Sequence, residues 1–516
     1  MTLVRIPRLL RWRYLRWALV LPLLPLALWA CNAHPLEEPM PLPEQQTDQY
    51  YEVNPNRNID ILFMIDNSPS MQEEQENLQR NFRFFMEELR KIPNKDGVPT
   101  LPSVQLGVVS SDLGAGGQMI GQCAGAGDSG VLQDRGWVGG LPTDPGRCAK
   151  KASCGLKPGP TGMPQRFLIA GEGVANNFVG NLEDVFSCVA QLGTCGCGLE
   201  HQLQATRVAL YGSLDTAKLP FPVENLGFLR SDAYLAIVLL TDEDDCSAVP
   251  NTTLFSDSGF PGTVTSFRCA QTGHLCDGKE TPKGAVFKRG LDKCTANDGG
   301  RLIPIKEIVE SIRALKPRPE QQIIVSGIFG WPTTQDPNRE YEYAKVRVLP
   351  DGSSVRDPAG DSLDYMEICS APRLGKATAA LRVKQFVTAF NGTFESICQD
   401  DFRPVMEKIG KRIAAVLSRT CVEAPVIFNA NVPDCQVAYR YDDATQRSGF
   451  REEALPWCDA PGSGTAPVCW RLEGDAQCTS SQYKIRVDRT DMPPKGTRLA
   501  VKCASCVNPT DERCKR

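Results

Sequence analysis

At 516 residues the chain exceeds the usual size of one hydrophobic core, so two domains are the expectation. Apolar content of 41% with 23% charged residues is ordinary globular composition. The formal charge is −4; without residues 1–30, which hold five arginines and no acid, 52 basic residues face 61 acidic ones, a charge of −9 that argues against nucleic acid or anionic lipid headgroups as main partners.

Arg5, Arg8, Arg11, Arg13 and Arg16 precede an uncharged apolar stretch from Trp17 to Ala30, the layout of an export signal. The stretch is shorter than the roughly 20 residues that span a bilayer as a helix, so a permanent membrane anchor is the weaker reading. It ends at Leu28-Trp29-Ala30-Cys31, which resembles a bacterial lipoprotein cleavage box and implies that Cys31 carries the lipid. By the same likeness, Asn32 and the lack of an acid there point to the outer membrane of the cell envelope. Of 21 cysteines, setting Cys31 aside leaves an even number, with twelve between Cys123 and Cys398 and eight between Cys421 and Cys514. In an exported chain such a set reads as disulfides, and a boundary near residue 420 breaks no necessary bridge.

Residues 31–57 are rich in proline and polar residues and read as a tether. "IDILFMI" (59–65) is a short apolar run expected of a strand covered on both faces. Met71, Leu78, Phe82, Phe85, Leu89 and Ile92 then fall on one side of a helix that Pro93 stops. Strands are predicted at 104–112, 166–171, 234–242 and 322–330, and helices at 181–192, 199–212, 303–316 and 403–418. Apolar strands alternating with amphipathic helices predict an α/β fold, a doubly wound, mostly parallel, Rossmann-like sheet over residues 58–420. Two Gly- and Pro-rich insertions, 113–164 and 246–302, need covalent staples to hold a shape. Residues 421–516, with eight cysteines among short strand-like pieces, predict a small disulfide-stapled β domain.

Ligands of such sheets gather at the carboxyl ends of the strands, where Asp66, Asp112 and Asp242 all fall. Asp66-x-Ser68-x-Ser70 follows the first strand, and on a tight loop these oxygens can turn toward one point. Carboxylate, hydroxyl and water oxygens suit a hard divalent cation, Mg²⁺ or Mn²⁺, with Asp242 as the second acid. The competing reading is that Asp66 or Ser68 merely caps the helix that follows. Glu243, Asp244 and Asp245 read as a solvated acidic loop, Asp112 as a loop cap and His201 as a partly exposed helix residue. Cys195 and Cys197 read as disulfide partners, one of them placed to reach Cys246.

Asp66-Asn67-Ser68-Pro69-Ser70-Met71 resembles the metal-ion-dependent adhesion site of von Willebrand factor type A domains, and "IVLLTDEDD" their second signature. The resemblance covers roughly residues 57–420 apart from the insertions. It implies that Ser68 and Ser70 bind Mg²⁺, Mn²⁺ or Ca²⁺ directly, that Asp66 and Asp242 bind it directly or through water, and that an open position receives a partner's carboxylate. The family's third element, a threonine before a helix, has its counterpart in Thr194, with Glu200 as a rival ligand.

The expectation is therefore an envelope lipoprotein, held to the membrane by its lipid alone. It would bind a protein or surface ligand through an acidic group and would not be an enzyme. The rivals are a structural envelope protein with a degenerate metal site and a metal-dependent hydrolase. Against the hydrolase, Ser68 stands where an aspartyl phosphatase carries its second aspartate, and three histidines leave few general bases.

Overall fold

Two strands near the start set the frame: β1, Gln45–Glu52, and β2, Asn58–Ile65. The computed structural model describes residues 45–505, apart from 53–56, 93–98, 139–148, 151–152, 160–164, 213–219, 250–251, 257–264, 350–353, 372–374, 418–421, 461–465 and gaps of one to three residues elsewhere. The signal segment, Cys31 and the first part of the expected tether lie outside the described residues.

After β2 come α1 (Gln72–Arg90), β3 (Ser103–Ser110), β4 (Phe167–Ala170), α2 (Leu182–Ala190), α3 (Gln202–Leu210) and β5 (Tyr234–Thr241). They are followed by α4 (Ile305–Arg313), β6 (Ile323–Phe329), α5 (Leu381–Ala389), β7 (Thr393–Ser396) and α6 (Arg403–Leu417). Six strands form one sheet in the order β7-β6-β5-β2-β3-β4. The first five are parallel, and β4, expected as a further buried strand, runs antiparallel at the edge.

The side chains of β2 alternate between two cores, as strand geometry requires. Ile59, Ile61, Phe63 and Ile65 pack with α1, α2 and α6, whereas Leu62 and Met64 pack with α3, α4 and α5. Phe63 is the hub of the first core, with its ring edge-on to Phe82, Phe85 and Phe186 at 5.8, 5.7 and 4.9 Å. Helices therefore cover both faces, and the strand ends are left as the open rims.

Residues 331–402, unassigned in the sequence, contain α5, β7 and a surface strand, Glu340–Val348. That strand pairs with Phe287–Gly290 of the second insertion and with Ser354–Arg356 and Ser362–Tyr365. Staples hold the irregular parts, as Cys123–Cys197, Cys154–Cys188, Cys246–Cys269, Cys276–Cys294 and Cys369–Cys398. The expected bridge from Cys195 or Cys197 to Cys246 is not formed: Cys197 reaches back to Cys123 and Cys246 forward to Cys269. Cys195 is disulfide-bonded as well.

Beyond residue 420, β8 (Cys435–Asp442), β9 (Phe450–Leu455) and β10 (Arg498–Ser505) form a second sheet in the order β1-β10-β8-β9. Cys435–Cys503 and Cys458–Cys469 staple this region, and no described bridge crosses residue 420. The tether expected over 31–57 is thus ordered at 45–52, where β1 pairs with β10 from Gln45↔Ser505 to Glu52↔Arg498. The stretch "QQTDQYYE" lacks proline and carries Thr and Tyr, which suit a strand.

Candidate metal centre

As β2 ends, the Asp66 amide donates to the Leu240 carbonyl at 2.9 Å, which holds the loop 66–71 against the end of β5. Asp66 is fully buried. Its Oδ1 accepts from the Ser68 amide at 2.9 Å and the Ser111 hydroxyl at 3.1 Å, and its Oδ2 from the Thr241 hydroxyl at 2.7 Å. Residues at the ends of β2, β3 and β5 therefore fix one carboxylate. Ser68 Oγ lies 3.3 Å from Ser70 Oγ, and Ser70 is near enough to the buried Asp242 carboxyl to offset part of its raised pKa. Asp66, Ser68, Ser70 and Asp242 are thus brought together from two distant parts of the chain. Neither Asp66 nor Ser68 caps α1, whose N-cap position is Met71 with no side-chain cap.

The loop before α3 closes over the same point. Gln75 on α1 clamps it: Nε2 donates to the carbonyls of Asp66 at 2.8 Å and Gly193 at 3.0 Å, while Oε1 accepts from the Gly193 amide at 3.0 Å. The Gly196 amide donates to the Asn67 carbonyl at 2.8 Å, and a Cβ at 196 would fall 2.2 Å from Asn67 Oδ1, so this approach needs glycine. Thr194 is buried in this loop and carries an interaction of its own. Glu200 is 1% exposed, and its Oε2 has no hydrogen-bond partner.

Burial, and then mutual repulsion, dominates the electrostatics. Burial raises Asp66 above the ordinary carboxylate range against the hydrogen bonds it accepts from Thr241, Ser68 and Ser111. Glu200 is raised well above its usual value by burial and then by Glu243, Asp66 and Asp242. Asp242 is raised likewise, by burial and then by Asp66, Glu243 and Glu74. Burial lifts Glu243 to about 7. Asp242 Oδ1, Glu200 Oε2 and Glu74 Oε2 are buried without a hydrogen-bond partner. Each such oxygen costs on the order of 1–3 kcal/mol unless a cation or water reaches it. A set of carboxylate and hydroxyl oxygens that includes buried, unpartnered ones fits a hard divalent ion.

No three of these carboxylates bring oxygens within 4.8 Å of one another; the described group that does so is Cys458, Cys469 and Asp488, whose sulfurs are already joined to each other.

The acids after Asp242 are not a solvated loop. Asp244 accepts from the amides of Arg382 at 2.9 Å and Val383 at 3.1 Å in the first turn of α5, and sits 2.6 Å from His274 Nε2. Asp245 accepts from the Leu203 amide at 3.0 Å in the first turn of α3 and pairs with the buried Arg382 Nε at 3.0 Å. Helix N-termini attract anions, which is why both acids point inward. His201, expected to be partly exposed, is buried just before α3, with Nε2 3.0 Å from the Gly114 carbonyl, and burial lowers it to about 4. Asp112 caps its loop as expected, accepting from the Gly114 amide at 2.8 Å, and burial raises it to about 6.

Sequence reasoning missed Gln75, Ser111 and Thr241. A position at the end of a buried strand was the available signal for Ser111 and Thr241, and nothing local marks Gln75.

No protein-family model matches this chain, and a comparison with curated proteins finds no match. Among solved structures it is similar to the conserved hypothetical protein BatB from Bacteroides thetaiotaomicron, at 11% identity over 69% of this chain and 98% of that one, with a TM-score of 0.25. It is also similar to a von Willebrand factor type A protein from Catenulispora acidiphila, at 11% identity over 89% of this chain and 65% of that one, TM-score 0.24. A third is the pilus adhesin SpaC from Lactobacillus rhamnosus GG, at 10% identity over 89% of this chain and 43% of that one, TM-score 0.28. At these scores the likeness carries no argument about function, and the chain spans less than two thirds of the last two.

Proposed function

We propose that this chain is a cation-dependent binding module of the cell envelope, built on a doubly wound domain of the von Willebrand factor A kind. Asp66, Ser68, Ser70 and Asp242 hold one divalent cation, and a protein or surface ligand completes the ion's coordination from the outer side, where Ser70 is exposed. The family resemblance assigns that contribution to an acidic group of the ligand. The observation that carries the reading is a buried Asp242 whose Oδ1 has no hydrogen-bond partner, on the same strand-end rim as the buried Asp66 and the paired hydroxyls of Ser68 and Ser70. Disulfides in both parts of the chain support an exported protein, with lipid at Cys31 as the proposed anchor. Binding needs no catalytic base, and the role proposed is not enzymatic.

The test is thermal unfolding of the purified chain in chelator and in excess Mg²⁺, Mn²⁺ or Ca²⁺. An ion at 100 times its dissociation constant adds about 2.7 kcal/mol of stability. Asp66→Ala and Asp242→Ala are expected to lose that gain. The spread of the carboxylates favours a second reading, a structural envelope protein without a working ion site. An unfolding curve that no metal shifts would select it.

A further inference from the structure

We propose that a cleft between α1 and the loop before α6 binds an organic polycation, a flexible chain carrying spaced ammonium or guanidinium groups. It uses none of the rim's candidate ligands and needs no ion there. Glu73, Glu76, Asn77 and Arg80 recur at helical spacing, so α1 carries a polar stripe beside its apolar one. Asn77 is fully buried: its Nδ2 donates to the Gln399 carbonyl at 3.1 Å, and its Oδ1 accepts from the Phe402 amide at 3.3 Å. These bonds pin the loop that carries Asp400 and Asp401 against α1, and the Cys369–Cys398 bridge holds the start of the same loop. Both walls are thus fixed within the fold. The cleft holds about 480 Å³, inside the range of roughly 300–1,000 Å³ usual for small-molecule sites.

The cleft is short of donors. Asn81, 7% exposed, lines it and spends Nδ2 on the Asn77 carbonyl at 3.0 Å and Asn77 Oδ1 at 2.8 Å, while its own Oδ1 receives no hydrogen bond among the described residues. Glu76 is met by Arg80 and Gln72, and Asp401 by the Arg403 amide. The exposed Glu73 and Asp400 carboxylates have neither hydrogen bond nor ion pair among the described residues. Arg83, the second guanidinium of the lining, lies over the Phe84 ring at 4.5 Å. Four carboxylates against two guanidiniums leave the lining a formal charge of −2. A buried amide oxygen and two unengaged carboxylates therefore select a ligand that donates hydrogen bonds and carries positive charge. No three of these acids bring oxygens within 4.8 Å of one another, so the spacing suits an extended organic cation and not a bare metal ion.

The experiment is isothermal titration of the purified chain with spermidine, with a short capped peptide of lysine and arginine, and with malonate as an anionic control. The double variant Glu73→Gln/Asp400→Asn is expected to lose about tenfold in affinity for the tighter of the two cations. Glu87→Gln/Glu310→Gln makes the same change of charge at exposed helix positions outside the cleft and is expected to move that affinity by less than about twofold. All four positions are exposed, and an unchanged melting temperature checks that both double variants remain folded. Tighter binding of spermidine assigns the cleft to a free polyamine, and tighter binding of the peptide to a basic segment of a partner protein; either upholds the site. Failure of both cations to bind the wild-type chain, equal losses in the two double variants, or tighter binding of malonate overturns it.

Discussion

Glu74 shows what a rim without a cation costs. It is buried on the first turn of α1 with Oε2 unpartnered, and burial, reinforced by Glu73 and Asp66, raises it from 4.5 to about 7. Between those values the folded chain holds a proton that the unfolded chain has released. In chelator, stability therefore falls as pH rises through that window, and Glu74 accounts for roughly 3 kcal/mol of the fall at most. Glu74→Gln is expected to flatten the slope in denaturant titrations between pH 5 and 7.5. A slope unchanged by the substitution would show that Glu74 is not the group responsible. Cation binding at the proposed centre would carry the complementary sign, because it requires ionised oxygens: affinity is expected to weaken as pH drops below 7, where Glu243 gains its proton. Calorimetry in buffers of different ionisation enthalpy would register the released protons. The chemistry of Asp66, Ser68, Ser70 and Asp242 was legible because each sits at the end of an apolar run. The burial of His201, Asp244 and Asp245 was not, because their partners lie far along the chain.

The helices make the same point at larger scale. α1 was readable from its apolar spacing and from Pro93, and β2, β3, β5 and β6 from their unbroken apolar runs. α5 gave no such signal. Ala380 at its start makes no side-chain cap, and its first-turn amides are received by Asp244, 138 residues away in the chain. Asp245 meanwhile joins the start of α3 to Arg382 on α5, so one loop after β5 fixes two helices and the candidate ligand Asp242. Asp245→Ala leaves Arg382 buried without its carboxylate, with Nη1 already unpartnered, and breaking such a pair costs about 3–5 kcal/mol. The expected result is a lower denaturation midpoint with an unchanged slope. In the first core, Phe63→Ala removes the ring against which α1 and α2 pack, for a further loss of about 3–5 kcal/mol by the same measurement.

Across the whole molecule, β1 is the element the sequence concealed. It is polar, follows a proline-rich stretch and finds its partner more than 440 residues later, at β10. Removing residues 45–52 turns β10 into an edge strand, and amide hydrogen exchange at 498–505 is expected to quicken at least tenfold while the rim of the first sheet keeps its protection. Equal protection with and without the segment would show that β10 does not depend on it. The pairing also fixes how the two sheets are strung together. From Glu52 to Asn58 only five residues intervene, a reach of roughly 20 Å, so the second sheet lies near the amino ends of the parallel strands, across the domain from Asp66. Tension between something held at Ser68 and Ser70 and the chain ahead of Gln45 would run along β2 and then β1. Each strand would be loaded lengthwise, so that its hydrogen bonds shear together instead of opening one at a time, and the load path would bypass both loop insertions.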